Sequence, residues 1–267
     1  MIRDITIGQY YPADSVLHRL DPRVKLVGTL TFLVSLFLFN NLIGYVVAGL
    51  FLATMIKISK VPFSFIVRGL KTIVILMLFT VVFNLFLTDG TILFQWKFIK
   101  ITIEGIETAI FMALRLTFLI IGSSLMTLTT TPNQLTDGLE TGLEPLKKLH
   151  LPVHEISMMM SIALRFIPIL LEETDKIMKA QQARGADFEE GKLMERVKAL
   201  VPMLVPLFVS AFHRANDLAM AMEARCYRGG EGRTKMKLLH FTYHDLVSMF
   251  IGAGLFAAVL VLANFGL

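Results

Sequence analysis

Two arginine triplets, Ala183-Arg184-Gly185 and Ala224-Arg225-Cys226, stand forty-one residues apart, and the residues before them keep register: Ala180 with Ala221, Ile177 with Leu218. A guanidinium flanked by small residues is a planar set of donors with nothing in its way, suited to a cleft that can accept its fork. A single arginine at a helix C-terminus needs no such explanation, because a cation there offsets the macrodipole by about 0.3–1 kcal/mol. Two in register suggest a two-lobed partner with two equivalent clefts. Other residues with chemical potential form weaker patterns. His150 with His154 and His240 with His244 have the spacing that places two imidazoles on one helix face, but neither pair has a third ligand beside it, so no metal site is expected. Gly229–Thr234 reads GGEGRT, which lacks the spacing of a phosphate-binding loop and follows a helix. No serine or cysteine sits in a nucleophile motif. Cys226 is the only cysteine, which excludes an intrachain disulfide and a thiolate cluster. Neither a catalytic residue nor a cofactor is expected.

The elements that must hold these triplets are set by composition. The chain has 267 residues, a mean hydropathy of +0.66 and 55% hydrophobic residues, which place it in a bilayer. The formal net charge of +5 does not indicate nucleic acid. Residues 131–245 carry 15 basic and 15 acidic side chains, so the surplus lies in the first 25 residues and in Lys57–Lys71, beside apolar runs. The first fifteen residues mix acids, aromatics and a proline and do not read as a cleavable signal.

Five apolar runs are expected to span: Leu26–Phe39, Leu42–Ile56, Thr72–Thr88, about Phe111–Thr130, and Leu246–Phe265. The first two are shorter than the roughly 20 residues a bilayer core needs. Either Arg23, Lys25 and Lys57 snorkel to extend them, or the pair forms a re-entrant hairpin. Arg3, Arg19, Arg23, Lys25, Lys57, Lys60, Arg68 and Lys71 cluster on one side, against only Lys97 and Lys100 on the other. The positive-inside rule then predicts a cytoplasmic N-terminus, a cytoplasmic segment Thr131–Asp245 and an outside C-terminus. Arg115 is read as snorkelling toward Glu107 or headgroups.

The expected fold is an all-α, multi-pass membrane protein of about five transmembrane helices and three long cytoplasmic helices. Residues 1–130 hold the N-terminal arm and four spans, 131–245 the cytoplasmic helices, and 246–267 the last span. Thr131-Pro132 predicts a helix start, followed by a stripe of Leu135, Leu139, Leu143 and Leu146. A second helix runs from the His150–Pro152 break to Arg184 with a bend at Pro168, and Gly185 is its natural stop. A third starts near Lys192, bends at Pro202 and Pro206, and ends near Arg225–Arg228. Ile156–Leu171 and Leu200–Phe212 are apolar on nearly every side and need burial all round. We read these helices as lying against the membrane face with charged far ends. Met158, Met159, Met160 and Met203 offer a pliable surface for variable partners, or fill gaps in the core.

The chain resembles the transmembrane T component of energy-coupling factor (ECF) transporters over nearly its whole length. Leu17–Leu26, LHRLDPRVKL, resembles that family's N-terminal signature. TTTPNQLTDGLE and the run from LPVHEISMMM to ARGADF resemble its first two coupling helices, and AMEARCYRGG its second arginine motif. Cys226 stands where glycine or serine is also common, which is expected to alter the helix stop and not the arginine's role. The resemblance implies two ABC-type ATPase subunits, a small membrane S component that captures a vitamin or other micronutrient, and a T component that couples them. It assigns Arg184 to one ATPase and Arg225 to the other, and turns Met158, Met159, Met160 and Met203 toward the S component. A module dedicated to cobalt or nickel is the alternative within the family. A histidine-dependent membrane enzyme and a self-sufficient carrier are the alternatives outside it, and neither explains the repeated helix ends.

Overall fold

The computed structural model describes residues 10–88, 90–96, 99–149, 152–186, 193–230 and 239–264. Lys97, His150, Lys192 and Glu231–Thr234 lie outside them. Two compact units are present, Gly8–Gly138 with Leu238–Leu267, and Leu139–Lys237.

The first unit opens with a single turn, α1 (Val16–Arg19), and α2 (Pro22–Ser35). Asp21 caps α2 by accepting from the Arg23 N–H at 2.9 Å, and Pro22 fills the first helical position, where no N–H is needed. At fourteen residues α2 is about 21 Å long, too short to cross alone. The predicted Leu26–Phe39 span is therefore broken after Ser35, whose hydroxyl bonds back to the Phe32 carbonyl at 2.6 Å. α3 (Leu42–Ser59), α5 (Ile103–Thr129) and α9 (Tyr243–Asn264) follow the predicted spans and are long and apolar enough to cross. α4 (Phe63–Leu87) carries the predicted third span in its apolar part, Ile73–Phe86. Its outward side chains are oily, with Ile75 80% exposed, as a lipid-facing surface requires. The loop predicted after α4 contains an antiparallel hairpin, β1 (Ile92–Trp96) with β2 (Ile99–Thr102), the one departure from an otherwise helical chain among the described residues.

α2, α3, α4, α5 and α9 share a core of Phe32, Leu36, Phe39, Tyr45, Leu52, Ile66, Ile121 and Val259. Phe39 meets Tyr45 edge-on at 5.0 Å and Tyr45 stacks on Phe111 at 5.3 Å. Gly122 lets α5 approach Phe32, since a Cβ there would sit 2.9 Å from the ring.

Polar groups close both ends of the bundle. At one end Arg115 donates from Nε to the Leu36 carbonyl at 3.0 Å, and from Nη2 to the Phe39 carbonyl at 3.2 Å and to Asn40 Oδ1. Snorkelling toward Glu107 is thereby corrected. α5 begins eight residues before Phe111, and the guanidinium is spent on carbonyls that the break in α2 leaves without helical donors.

At the other end Asp245, 1% exposed, accepts from the Asp21 and Thr242 N–H groups, both at 2.7 Å. Lys25 donates to the His18 carbonyl at 3.1 Å and the Thr129 carbonyl at 2.9 Å. His18 Nε2–H donates to the Tyr11 carbonyl at 3.0 Å, which leaves Nδ1 to accept from the Ser15 hydroxyl at 2.7 Å. This is the neutral imidazole. Burial holds its pKa below the ordinary 6.5, against the pull of the Tyr11 carbonyl. A depressed folded-state pKa means that the unfolded chain takes up the proton first. Stability from this group is complete above pH 6.5 and is lost as pH falls below it. His18→Gln removes that part of the acid slope in thermal unfolding recorded between pH 7.5 and 5.

The boundary between the units falls inside the next helix, after Gly138, and the second unit holds the two long helices that follow. α6 (Pro132–Gly142) starts with a capping box: Thr131 Oγ1 accepts from the Gln134 N–H at 3.3 Å, and Gln134 Oε1 from the Thr131 N–H at 3.1 Å. α6 ends at Gly142 and leaves Leu143 exposed, so the predicted leucine stripe is cut short. Of three long helices expected, two are long: α7 (Val153–Ala183, 31 residues) and α8 (Leu193–Ala224, 32 residues), with Pro168, Pro202 and Pro206 inside them. By length and composition α7 also qualifies as a span. Its far half, however, carries Glu172, Glu173, Asp175, Lys176 and Lys179.

Candidate functional site: two arginine helix ends

The two triplets terminate α7 and α8 with one backbone pattern. At the first, the Arg184 and Ala186 N–H groups donate to the Gln181 carbonyl at 3.0 Å each, and the Gly185 N–H to the Gln182 carbonyl at 2.9 Å. At the second, the Arg225 and Tyr227 N–H groups donate to the Met222 carbonyl at 3.2 and 3.0 Å, and the Cys226 N–H to the Glu223 carbonyl at 2.8 Å. Each is a Schellman closure, which needs a left-handed residue directly after the arginine. Gly185 supplies it at φ 88° and Cys226 at φ 55°. Cys226 was expected to alter the stop; it makes the same stop and carries the cost of a Cβ in that region, about 1–2 kcal/mol. Cys226→Gly relieves the strain and loses part of the gain to a more flexible unfolded chain. It therefore raises the thermal midpoint slightly, as read by a melting curve.

Ala183, Arg184, Gly185, Ala224, Arg225 and Cys226 are all exposed, and neither arginine pairs with an acidic group among the described residues. Among the described residues both guanidiniums stand at closed helix ends without an acidic partner, open to acceptors outside the chain.

Two hydrogen bonds fix how α7 and α8 pair. Arg214 Nη2 donates to Glu173 Oε2 at 3.1 Å, and Gln181 Nε2 donates to the Pro202 carbonyl at 3.3 Å. The second follows from sequence: Pro206 has no N–H, so the carbonyl four residues earlier is orphaned and takes a donor from α7. Moving back along α7 from Gln181 to Glu173 moves forward along α8 from Pro202 to Arg214, so the helices run in opposite senses. Glu173 and Arg214 are themselves equivalent positions of the forty-one-residue repeat. The helices thus touch at one pair of equivalents, and each arginine lies eleven positions beyond that contact, about 16 Å along its helix. The two tips diverge and stand on the order of 30 Å apart.

Met159 and Met160 are exposed, while Met158 and Met203 are half-buried. A wider oily face, missed by a search for methionines, lies on α8: Val201, Leu204, Val205, Phe208 and Phe212 recur at helical spacing, and Phe212 is 70% exposed. The period was legible in the sequence, but not which face stays uncovered. His154 Nδ1 sits 3.0 Å from Glu140 Oε1, and the same carboxylate accepts from the Ser157 hydroxyl at 3.0 Å. That histidine joins α6 to α7, and its predicted mate His150 lies outside the described residues. His240 and His244 are exposed.

The family described as cobalt transport protein (CbiQ) matches residues 13–236. Among similar proteins are the "Energy-coupling factor transporter transmembrane protein EcfT" of Clostridium kluyveri, 57% identical over 263 residues, covering 98% of this chain and 96% of that protein. The protein of the same name from Bacillus subtilis is 53% identical over 259 residues, covering 96% and 98%. That from Thermosediminibacter oceani is 51% identical over 264 residues, covering 99% of each.

Proposed function

This chain belongs to the energy-coupling factor transporter transmembrane proteins, and on that premise we propose that it is the lever between two ABC-type ATPase subunits and a membrane-embedded S component. The observation that carries the reading is the pair of identically closed helix ends, each presenting at the tip of a long helix an exposed arginine with no acidic partner among the described residues. Arg184 docks in a groove of one ATPase and Arg225 in the equivalent groove of the other, with Ala183, Gly185, Ala224 and Cys226 keeping both approaches clear. Tips about 30 Å apart suit two lobes of one motor pair.

ATP draws the lobes together, and the arginine ends follow because a bidentate guanidinium resists sliding in its cleft. Helices tied together at Glu173–Arg214 and Gln181–Pro202 carry the displacement to their oily halves. There Met158, Met159, Met160 and Met203, with the Val201–Phe212 stripe, hold the S component and reorient it so that its vitamin or other micronutrient is released inside. Burying one such side chain is worth about 1.5–3 kcal/mol, enough in sum for a grip that can still slide. The N-terminus lies in the cytoplasm, residues 131–245 form the cytoplasmic coupling region against the membrane face, and the C-terminus lies outside.

Gentle detergent purification of the tagged chain from its native membrane, followed by mass spectrometry, tests the reading. Two ABC-type ATPases and a small hydrophobic protein are expected; a chain that comes away alone contradicts it. The description of the matched family favours a second reading, a module dedicated to cobalt or nickel. The identity of the co-purifying small protein separates the two.

A further inference from the structure

The first unit encloses a cavity of about 240 Å³ bounded by α2, α3, α5 and α9. Phe32, Phe51, Leu125 and Leu255 make its walls apolar. Gly28 on α2 and Gly252 on α9 open it, since a Cβ built on either meets no atom within 4 Å. Val16, Ile58 and Ile251 line it and remain exposed, so it communicates with the outside of the bundle. Lys25, 8% exposed, also lines it. An ammonium has three N–H donors. Two of Lys25's are taken by the His18 and Thr129 carbonyls, and the third has no acceptor among the described residues. An oily slot that holds a buried, incompletely used donor is built for a molecule that is a hydrocarbon chain with an oxygen acceptor at its end.

The geometry points to a single phospholipid as the occupant, with one acyl chain in the cavity and an ester carbonyl on Lys25 Nζ. A bilayer surrounds these helices and supplies that molecule at high local concentration. Charge separates the ester from an anionic group. Asp21 stands one turn before Lys25 at the start of α2, and the Asp245 carboxylate is held on the Asp21 N–H at 2.7 Å, so two carboxylates already occupy this end of the bundle and disfavour a free anion, whereas a neutral carbonyl needs only the idle N–H. The lipid completes the packing of α2 against α9 and remains bound when lipids around the protein exchange.

The test uses the full complex purified in detergent and washed extensively, with bound phospholipid and free fatty acid quantified by extraction and mass spectrometry. About one phospholipid per chain is expected to resist washing in the unaltered protein. Gly28→Leu and Gly252→Leu, each at a position where a Cβ meets no atom within 4 Å, are expected to lower that retention at least fivefold each, with thermal midpoint held or raised. Lys25→Met is expected to lower phospholipid retention as well, while Gly28→Leu keeps the proposal testable if Lys25→Met fails to fold. Equal phospholipid retention in the unaltered protein and both glycine variants would mean surface lipid only and would overturn the inference. Retention of fatty acid in place of phospholipid would overturn the assignment of the ester.

Discussion

Replacing Arg184 and Arg225 together with alanine abolishes ATPase co-purification and nutrient uptake, while the chain still folds and inserts. Both side chains are exposed and make no ion pair among the described residues, so their loss costs the isolated chain nothing beyond the weak helix-dipole term. Docked in an acceptor cleft, each forms charge-assisted hydrogen bonds worth about 1.5–3 kcal/mol. Losing both weakens association by roughly 3–6 kcal/mol, a factor on the order of 10² to 10⁴. Either single replacement leaves one lobe anchored and a partly assembled complex. A lysine pair keeps the charge and loses the planar fork, and it recovers only part of the uptake. Wild-type assembly in the double alanine variant contradicts the docking assignment.

Arg115→Leu produces the largest loss of stability in the membrane bundle. It leaves the Leu36 and Phe39 carbonyls and the Asn40 side chain without their donor, in a place where Leu36 is fully buried. The Asn40 side chain is exposed and turns to water; each of the two carbonyls left unsatisfied costs about 1–3 kcal/mol, so the total is about 2 kcal/mol or more. The thermal midpoint drops by on the order of 5 °C. Arg115→Lys restores one acceptor and part of the loss. A midpoint within 2 °C of the parent would show that the break in α2 is held by packing alone.

Much of this architecture is legible in the sequence because it rests on local rules. Thr131-Pro132 starts α6, prolines mark α7 and α8, and Ala-Arg followed by a small residue ends both long helices. What escapes reading is long-range. Nothing near Arg115 announces that its partners are backbone carbonyls more than seventy residues earlier, because a carbonyl left over at a broken helix has no sequence signature. Asp245 reads as the polar entry to the last span, yet its ligand is the Asp21 N–H at the other end of the chain. The weight carried by His18, Asp21 and Lys25 in the N-terminal signature is likewise invisible until α1, α2, α5 and α9 converge on them. Cys226 erred for a different reason: propensity favours glycine in a left-handed stop, but three backbone hydrogen bonds outweigh one Cβ contact.

A lever moves nothing by itself. Reconstituted alone into proteoliposomes, the chain should give no uptake of any solute, with or without ATP. With the two ATPases and an S component added, ATP should drive uptake that disappears in the Arg184→Ala, Arg225→Ala double variant. Solute movement by the chain without the ATPases would contradict the account.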